Sequence, residues 1–421
     1  MDIDAWQKLA RSDPAAAQRE FQRRCERLSP SQQRAVWAFI DQDPFGKGDR
    51  LHDAPLTGVP FAIKDLFYFA GAPTRAGSSF LSRTSRQECN LIVSLRQLGA
   101  VPVGTTHLHE FAYGLTGGNP HYGNVQHPHH LSLTSGGSSS GSAAVVAADI
   151  VPFALGTDTG GSLRVPAAYC GIFSWRDTPH HPWIQDAFPL APSFDTAGWL
   201  TKSPQDLRRL HHLLINASVF STGTPHGAYL SAQSLDVELP GNFEAVLAET
   251  TNRIAPTIAP APSTFAAVLK DSAQPYSVLQ STEAFAVHQH HLDRRKAEFG
   301  EAVWQRIDRG RRWRADELTR AKVHHLKVKA AFNVFFRDFD YLVMPVAPTP
   351  ALAHDDSNQA NRDALLALTT PGSLAGLPIV TVPVPLGDGL SLGLQYIFPD
   401  RQCPAIDWLL RRCETSLPSN S

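Results

Sequence analysis

Apolar residues in this chain fall into two rhythms, short continuous runs and longer stretches where they recur every three or four positions. Residues 1–45 are polar overall, with Ala15, Ala16, Ala17, Phe21 and Cys25 on one stripe, a spacing that predicts helices. Val36, Ala38, Phe39 and Ile40 close this region before the turn at Asp43-Pro44-Phe45-Gly46. Strands are predicted over 58–69, 101–104 and 151–155, and helices over 87–99, from His109-Glu110-Phe111, and from Arg164. Residues 140–148 are small and apolar throughout, which predicts a buried helix. Ser203-Pro204-Gln205-Asp206 is a helix start, with proline in the first turn. Residues 222–229 carry no assignable pattern, and the proline-rich 255–262 reads as loop. A long helical region spans 282–337, broken near Gly300 and Gly310, with Ala330, Phe332, Val334, Phe335 and Phe336 as its core residues. A buried strand follows at 341–345. Helices alternating with apolar strands predict the α/β class. No internal repeat or long linker interrupts them, so one integrated domain is expected, with an N-terminal helical segment (1–50) packed on the main body (51–414) and a short tail (415–421).

Composition narrows the choice of partners. The 421 residues carry a formal net charge of −1, which gives no electrostatic footprint for nucleic acid. Hydrophobic residues make up 43% of the chain, enough for a sizeable core. Cys25, Cys89, Cys170, Cys403 and Cys413 are scattered, without a Cys-x-x-Cys, so neither a disulfide framework nor a zinc ribbon is expected. The acidic start Met1-Asp2-Ile3-Asp4 lacks the apolar core of a signal peptide. The apolar stretch 143–155 is interrupted by Asp149 and Pro152 and is too short to span a bilayer. A cytoplasmic protein with no membrane contact is therefore expected. The 18 histidines include the pairs His129-His130, His180-His181 and His324-His325, and a cluster at His288, His290 and His291. Neighbours on a helix project about 100° apart, so these pairs do not chelate one ion, and no metal site is expected.

The chemistry concentrates in two glycine- and serine-rich loops and one lysine. Ser135-Gly136-Gly137-Ser138-Ser139-Ser140-Gly141-Ser142 is followed, across an apolar segment, by Gly156-Thr157-Asp158-Thr159-Gly160-Gly161-Ser162-Leu163-Arg164. Upstream lies Gly58-Val59-Pro60-Phe61-Ala62-Ile63-Lys64-Asp65. A serine hydroxyl attacks only when a base takes its proton, and attack on an amide creates an oxyanion that needs preorganised donors. Backbone N–H groups of Thr159, Gly160, Gly161 and Ser162 can point into one concavity, the two glycines tolerating the positive φ such a turn needs. Lys64 serves as a base only when neutral, and its free pKa is about 10.4. Burial among Val59, Phe61, Ile63, Leu66 and Phe67 would lower it. Two other motifs compete. The segment ending at Lys64 shares its close with the Val-Ala-Ile-Lys strand of kinases, but no glycine-rich loop precedes it and no Asp-Phe-Gly follows. Gly137-Ser138-Ser139-Ser140-Gly141 fits the α/β-hydrolase elbow centred on Ser139, yet the residues before it make a poor central strand.

The composite resembles the amidase signature family, amide hydrolases with a Ser–Ser–Lys triad on a large α/β fold. Lys64 matches the family's lysine in its Gly-Val-Pro-x-x-x-Lys-Asp motif. Ser138, 24 residues before Ser162, matches the bridging serine held in a cis peptide, and Ser162 the nucleophile. Thr159, Gly160, Gly161 and Ser162 match the oxyanion-hole backbone, and Asp158 and Arg164 a pair bracing the loop. The resemblance runs over roughly residues 50–400, through His109-Glu110-Phe111-Ala112-Tyr113-Gly114, Ser193-Phe194-Asp195-Thr196 and Gly376-Leu377-Pro378. Within the family it looks closest to the branch containing indole-3-acetamide hydrolases. It implies a mixed, mostly central β-sheet covered by helices on both faces.

The chain departs from the family at three places. Gly104-Thr105-Thr106-His107 stands for Gly-Lys-Thr-Asn, Thr134-Ser135 for a proline, and Ser174-Trp175-Arg176-Asp177-Thr178 for Gly-Leu-Lys-Pro-Thr. The last falls where the pocket wall is expected and bears on substrate choice. The resemblance implies a serine amidase without cofactor, acting on a small carboxylic amide and releasing ammonia or an amine. Phe111, Tyr113, Phe173, Trp175, Trp183 and Phe194 as pocket residues would favour an aryl or arylacetyl amide. An amidotransferase subunit and a biosynthetic acyl transferase use the same acyl-enzyme and remain open, as does assembly into a homodimer.

Overall fold

The short apolar runs become strands of a sheet buried on both faces. In the computed structural model, which describes residues 1–46, 53–216, 223–256, 258–356 and 358–417, eleven strands join one sheet. Numbered along the chain they are β1 (Trp37–Ile40), β2 (Pro60–Lys64), β3 (Val101–Thr106), β4 (Phe153–Asp158), β5 (Phe173–Arg176), β6 (Thr196–Thr201), β7 (Gly227–Tyr229), β8 (Ala259–Pro260), β9 (Tyr341–Pro345), β10 (Ile379–Gly387) and β11 (Leu390–Ile397). Their order across the sheet is β1-β3-β2-β4-β6-β5-β10-β11-β9-β7-β8. β2 runs parallel to β3 and β4, and β7 parallel to β8 and β9. The other pairs are antiparallel. The sheet is mixed, as the resemblance implies.

Period-two alternation divides the core. Along β9, Tyr341 and Val343 pack into one cluster while Leu342 and Met344 pack into the other. Register carries this across the sheet, because Ile397 faces both Leu342 and Ile379, and Tyr396 faces both Val343 and Val380. The first cluster is covered by Trp6 and Phe21 from the N-terminal helices Ile3–Ser12 and Pro14–Cys25, by the wholly buried helix Ser140–Ala147, and by Leu207 and Leu409 from Pro204–Ile215 and Pro404–Ser416. The second is covered by the helices Ala273–His288, Ala315–Phe335 and Gln359–Ala375.

Several boundaries differ from those read off the pattern. The N-terminal segment is not helical throughout, since Trp37–Ile40 is an edge strand that pairs with the free side of β3. The strand expected over 58–69 ends at Lys64, where the chain turns. β7 and β8 lie in the stretches read as unassignable or as loop; β7 pairs with the parallel edge that β9 offers, and β8 with the edge of β7. The long helical region starts earlier, at Ala273, and breaks into Ala273–His288, Glu301–Asp308 and Ala315–Phe335. In the last of these the buried face is Ala321, Val328, Phe332 and Phe335, so Ala330 and Val334 are exposed rather than core. Among the described residues no helix is long and apolar enough to cross a membrane, and the five cysteines are free and buried.

The Trp199 indole is fully buried, with Trp175 and Trp183 at ring-centroid distances of 6.1 and 6.2 Å. Trp199→Ala is expected to cost about 3–5 kcal/mol of stability, read as a lower urea midpoint with an unchanged slope.

Candidate active site

The parallel strands β2 and β4 deliver Lys64 and Asp158 at their carboxyl ends, the edge at which open α/β sheets place their sites. Lys64 is fully buried, and Val59, Phe61, Ile63, Leu66 and Phe67 around it are buried too. Its Nζ lies 2.8 Å from Ser138 Oγ, 2.7 Å from Thr157 Oγ1 and 3.0 Å from Ser139 Oγ. Burial pushes its pKa down to about 7, against the pull of the Asp158 and Asp195 carboxylates. Burial thus favours the neutral amine, which is surrounded by hydroxyls within hydrogen-bond distance.

Ser138 sits in the loop before the helix Ser140–Ala147, and the Gly137–Ser138 peptide is cis. The next residue ties this loop to the second one, since Ser139 N–H donates to Ser162 O at 3.2 Å. The Ser139 hydroxyl is fully buried and donates to Thr157 O at 3.1 Å. That arrangement makes it a brace for β4 rather than the exposed nucleophile an elbow requires.

The turn from Thr159 to Leu163 is wound around one carboxylate. Asp158 accepts from the N–H groups of Gly161 (2.8 Å) and Leu163 (3.0 Å), and from Arg164 Nε and Nη2 (3.0 and 2.9 Å). Arg176 Nε donates to the same carboxylate at 3.2 Å. All three side chains are fully buried. Burial alone would raise the Asp158 pKa, but the charges and hydrogen bonds of Arg164, with Arg176 behind it, hold it well below the usual carboxylate range. Arg164 also donates to Thr369 O, Gln395 Oε1 and Ser373 Oγ, which anchors the turn to the helix Gln359–Ala375 and to β11. Thr159 Oγ1 donates to Asp195 Oδ1 at 2.6 Å.

Each glycine of the turn has its own physical reason. Gly161 has φ +125°, a conformation L side chains rarely adopt. Gly160 is needed for close approach, since a Cβ there would lie 2.3 Å from the Tyr276 hydroxyl. Of the four N–H groups expected to face an oxyanion, that of Gly161 is already committed to Asp158, whereas those of Gly160 and Ser162 make no hydrogen bond among the described residues.

Ser162 opens onto a small cavity together with Tyr113, Gly160, Tyr276, Gln280 and Arg362. Of the aromatic residues expected at the pocket, Tyr113 lines this cavity and the rest do not. Phe111 packs with Phe80, Phe188 and Phe299, and Phe194 stands behind Tyr276 at 5.3 Å. Phe173 and Trp175 lie on β5 in the first core cluster, and Trp183 packs on Trp199 there. The segment expected to form the pocket wall is a central strand instead, because β5 is held between β6 and β10.

Sequence reasoning missed Arg176, Asp195, Thr157, Tyr276 and Arg362. Arg176 stood out only as a departure from the family pattern, and nothing local indicates that it meets Asp158, 18 residues away. Among the described residues no group of three His, Cys, Asp or Glu side chains is arranged to hold a metal ion.

Residues 19–232 and 245–402 match the family model described as Amidase. The chain belongs to the amidase family. It is 31% identical over 368 residues to the 1-carboxybiuret hydrolase subunit AtzE of Pseudomonas sp. (strain ADP), covering 82% of this chain and 80% of that one. Indoleacetamide hydrolase of Pseudomonas savastanoi is 41% identical over 172 residues, 40% of this chain and 38% of its own. A crystal structure of an amidase superposes with a TM-score of 0.88 at 26% identity, over 99% of this chain and 100% of the other. Family and fold together make the chain a hydrolase of amide carbon–nitrogen bonds other than peptide bonds.

Removing the charge at the centre of the turn by Asp158→Asn leaves Arg164 and Arg176 buried without a counter-ion. A loss of about 3–5 kcal/mol is expected, measurable as a lower denaturation midpoint.

Proposed function

We propose that Ser162 attacks the carbonyl carbon of a small carboxylic amide to form an acyl-enzyme, which water then hydrolyses to the acid. The observation that carries this reading is the buried contact of 2.8 Å between Lys64 Nζ and Ser138 Oγ, in a setting that lowers the lysine pKa to about 7. Neutral Lys64 accepts a proton from Ser138 as Ser138 takes one from Ser162. The oxyanion is received by the backbone of the Thr159–Ser162 turn, with the N–H groups of Gly160 and Ser162 as donors and Gly161 bracing through Asp158. The proton returns through Ser138 to the departing nitrogen, so ammonia or an amine leaves. The same relay then activates water, and the acid is released as Ser162 regains its proton.

The acyl group is small. The space bordered by Ser162 is narrow, closed in by Tyr113, Tyr276, Gln280, Arg362 and Leu366. An aryl or arylacetyl preference rests on Tyr113 and Tyr276, since Phe173 and Trp175 stand elsewhere. A second reading is kept for one reason: a relative aligned over most of this chain is itself named a subunit. Release of ammonia by the purified chain alone would exclude dependence on a partner.

Labelling by a small fluorophosphonate tests the nucleophile. Ser162→Ala should abolish it and Lys64→Ala should slow it by about 100-fold or more, whereas labelling that persists in Ser162→Ala would place the nucleophile elsewhere. The wild-type rate should rise with pH through a midpoint near 7 and level off above it, because only the deprotonated lysine is a base. Lys64→Ala should lose that rise.

A further inference from the structure

One arginine at the Ser162 cavity and a second beside it lack an acid partner among the described residues. Arg362, from the helix Gln359–Ala375, lines the cavity that holds Ser162 and also lines the neighbouring one. Arg306 lines the neighbouring cavity, and its Nη1 donates to Tyr113 O at 2.6 Å. The fully buried arginines of the turn, Arg164 and Arg176, are both matched to the Asp158 carboxylate. Among the described residues neither Arg306 nor Arg362 has a carboxylate within ion-pair distance. Asp363, next to Arg362 in the chain, is exposed and takes a hydrogen bond from Gln359.

Arg306 and Arg362 are half-buried, so each cation lies partly out of water without a counter-ion, and the exposed Arg309 adds a third charge. Arg309 sits over the Trp313 ring and also lacks an acid partner among the described residues. Burial, and then the Arg362 charge, push the Arg306 pKa down to about 9, so it still carries its charge at neutral pH. Burial likewise lowers Arg362. One further group points to a ligand. The Tyr276 hydroxyl is fully buried, has no hydrogen-bond partner among the described residues, and belongs to a side chain lining the same cavity. It lies over the Gly160 peptide, so tightly that a Cβ on Gly160 would collide with it. A guanidinium and a free phenol bordering one small space suit a carboxylate, which accepts from both and supplies the missing charge.

We propose that the substrate is an amide whose acyl part carries a second, anionic carboxylate, bound by Arg362 with Tyr276 and Arg306 in support. This rests on Ser162 being the nucleophile and names the substrate class of that same site. A half-amide of a short dicarboxylic acid has this shape, with one end at the Thr159–Ser162 turn and the charged end at Arg362. The arginine excludes a neutral aryl amide of equal size only weakly, but it gains for the anion a charge-assisted hydrogen bond that the neutral compound cannot make.

The test uses the full chain and two matched amide pairs, succinamate against butyramide and glutaramate against valeramide, with ammonia release as the signal. The carboxylated member should be favoured in kcat/KM by about 10- to 100-fold. Arg362→Gln should collapse that ratio toward one, chiefly through KM, and Arg362→Lys should restore part of it. Succinate should also slow fluorophosphonate labelling of Ser162 in the wild type and protect less well in Arg362→Gln. Wild-type preference for the neutral or aryl amide overturns the proposal. So does a preference for the anion that survives both substitutions. If Arg362→Gln fails to fold, the wild-type ratio and Arg362→Lys decide. Absence of Ser162 labelling in the wild type is a different failure, that of the nucleophile assignment.

Discussion

The Asp158 carboxylate organises everything near Ser162. It is fully buried and accepts from two backbone N–H groups of the following turn and from two arginines. A buried ion pair earns little net stability, because desolvation offsets the attraction. What it provides is direction. The lone pairs of one carboxylate dictate where Gly161 and Leu163 point their N–H groups, and thereby the path of the backbone through Ser162. Arg164 then carries the same constraint outward to Thr369, Ser373 and Gln395, so the turn is clamped between its own strand and a helix some 200 residues later in the chain.

The lysine is governed by the opposite balance. At Asp158 charge is matched by charge, whereas at Lys64 only hydroxyls and a carbonyl among the described residues lie within hydrogen-bond reach. Desolvation wins there, and the pKa falls. The two carboxylates that oppose this, Asp158 and Asp195, are each engaged elsewhere, with arginines in one case and with Thr159 and backbone N–H groups in the other. A saturated ion network beside an unpaired amine is how one fold keeps an arginine-bound carboxylate charged and a nearby lysine partly neutral.

The candidate site could be read from the sequence because its parts are local. Lys64 lies in a run of apolar neighbours, and the two loops combine glycine with serine in a spacing that resembles one family, so residues, turn and family could be named before any packing was known. Fold class was legible for a similar reason, since β9 and the helix Ser140–Ala147 are bounded by abrupt changes in polarity. The aromatic pocket residues were harder. Phe173 and Trp175 are near the motif in sequence, but a strand sends successive side chains to opposite faces and β5 is sandwiched in the sheet, so nearness along the chain did not mean nearness to Ser162. The exposed Ala330 and Val334 show the same limit on a helix, where two apolar stripes compete and only the partner surface selects one.

By itself the sequence determined the class of chemistry, the apolar setting of the lysine and the glycine-rich turn that carries Ser162, because these depend on residue type and on contacts a few positions apart. Tertiary structure alone decided which groups surround that chemistry. Arg176, Asp195, Tyr276 and Arg362 reach the site from four different segments, and no local pattern distinguishes them from other charged or aromatic residues. Their meaning comes from contacts across large separations, set by strand order and by helix packing over the sheet. The identity of an enzyme's reaction can thus sit in a short motif while its choice of substrate is spread over the whole fold.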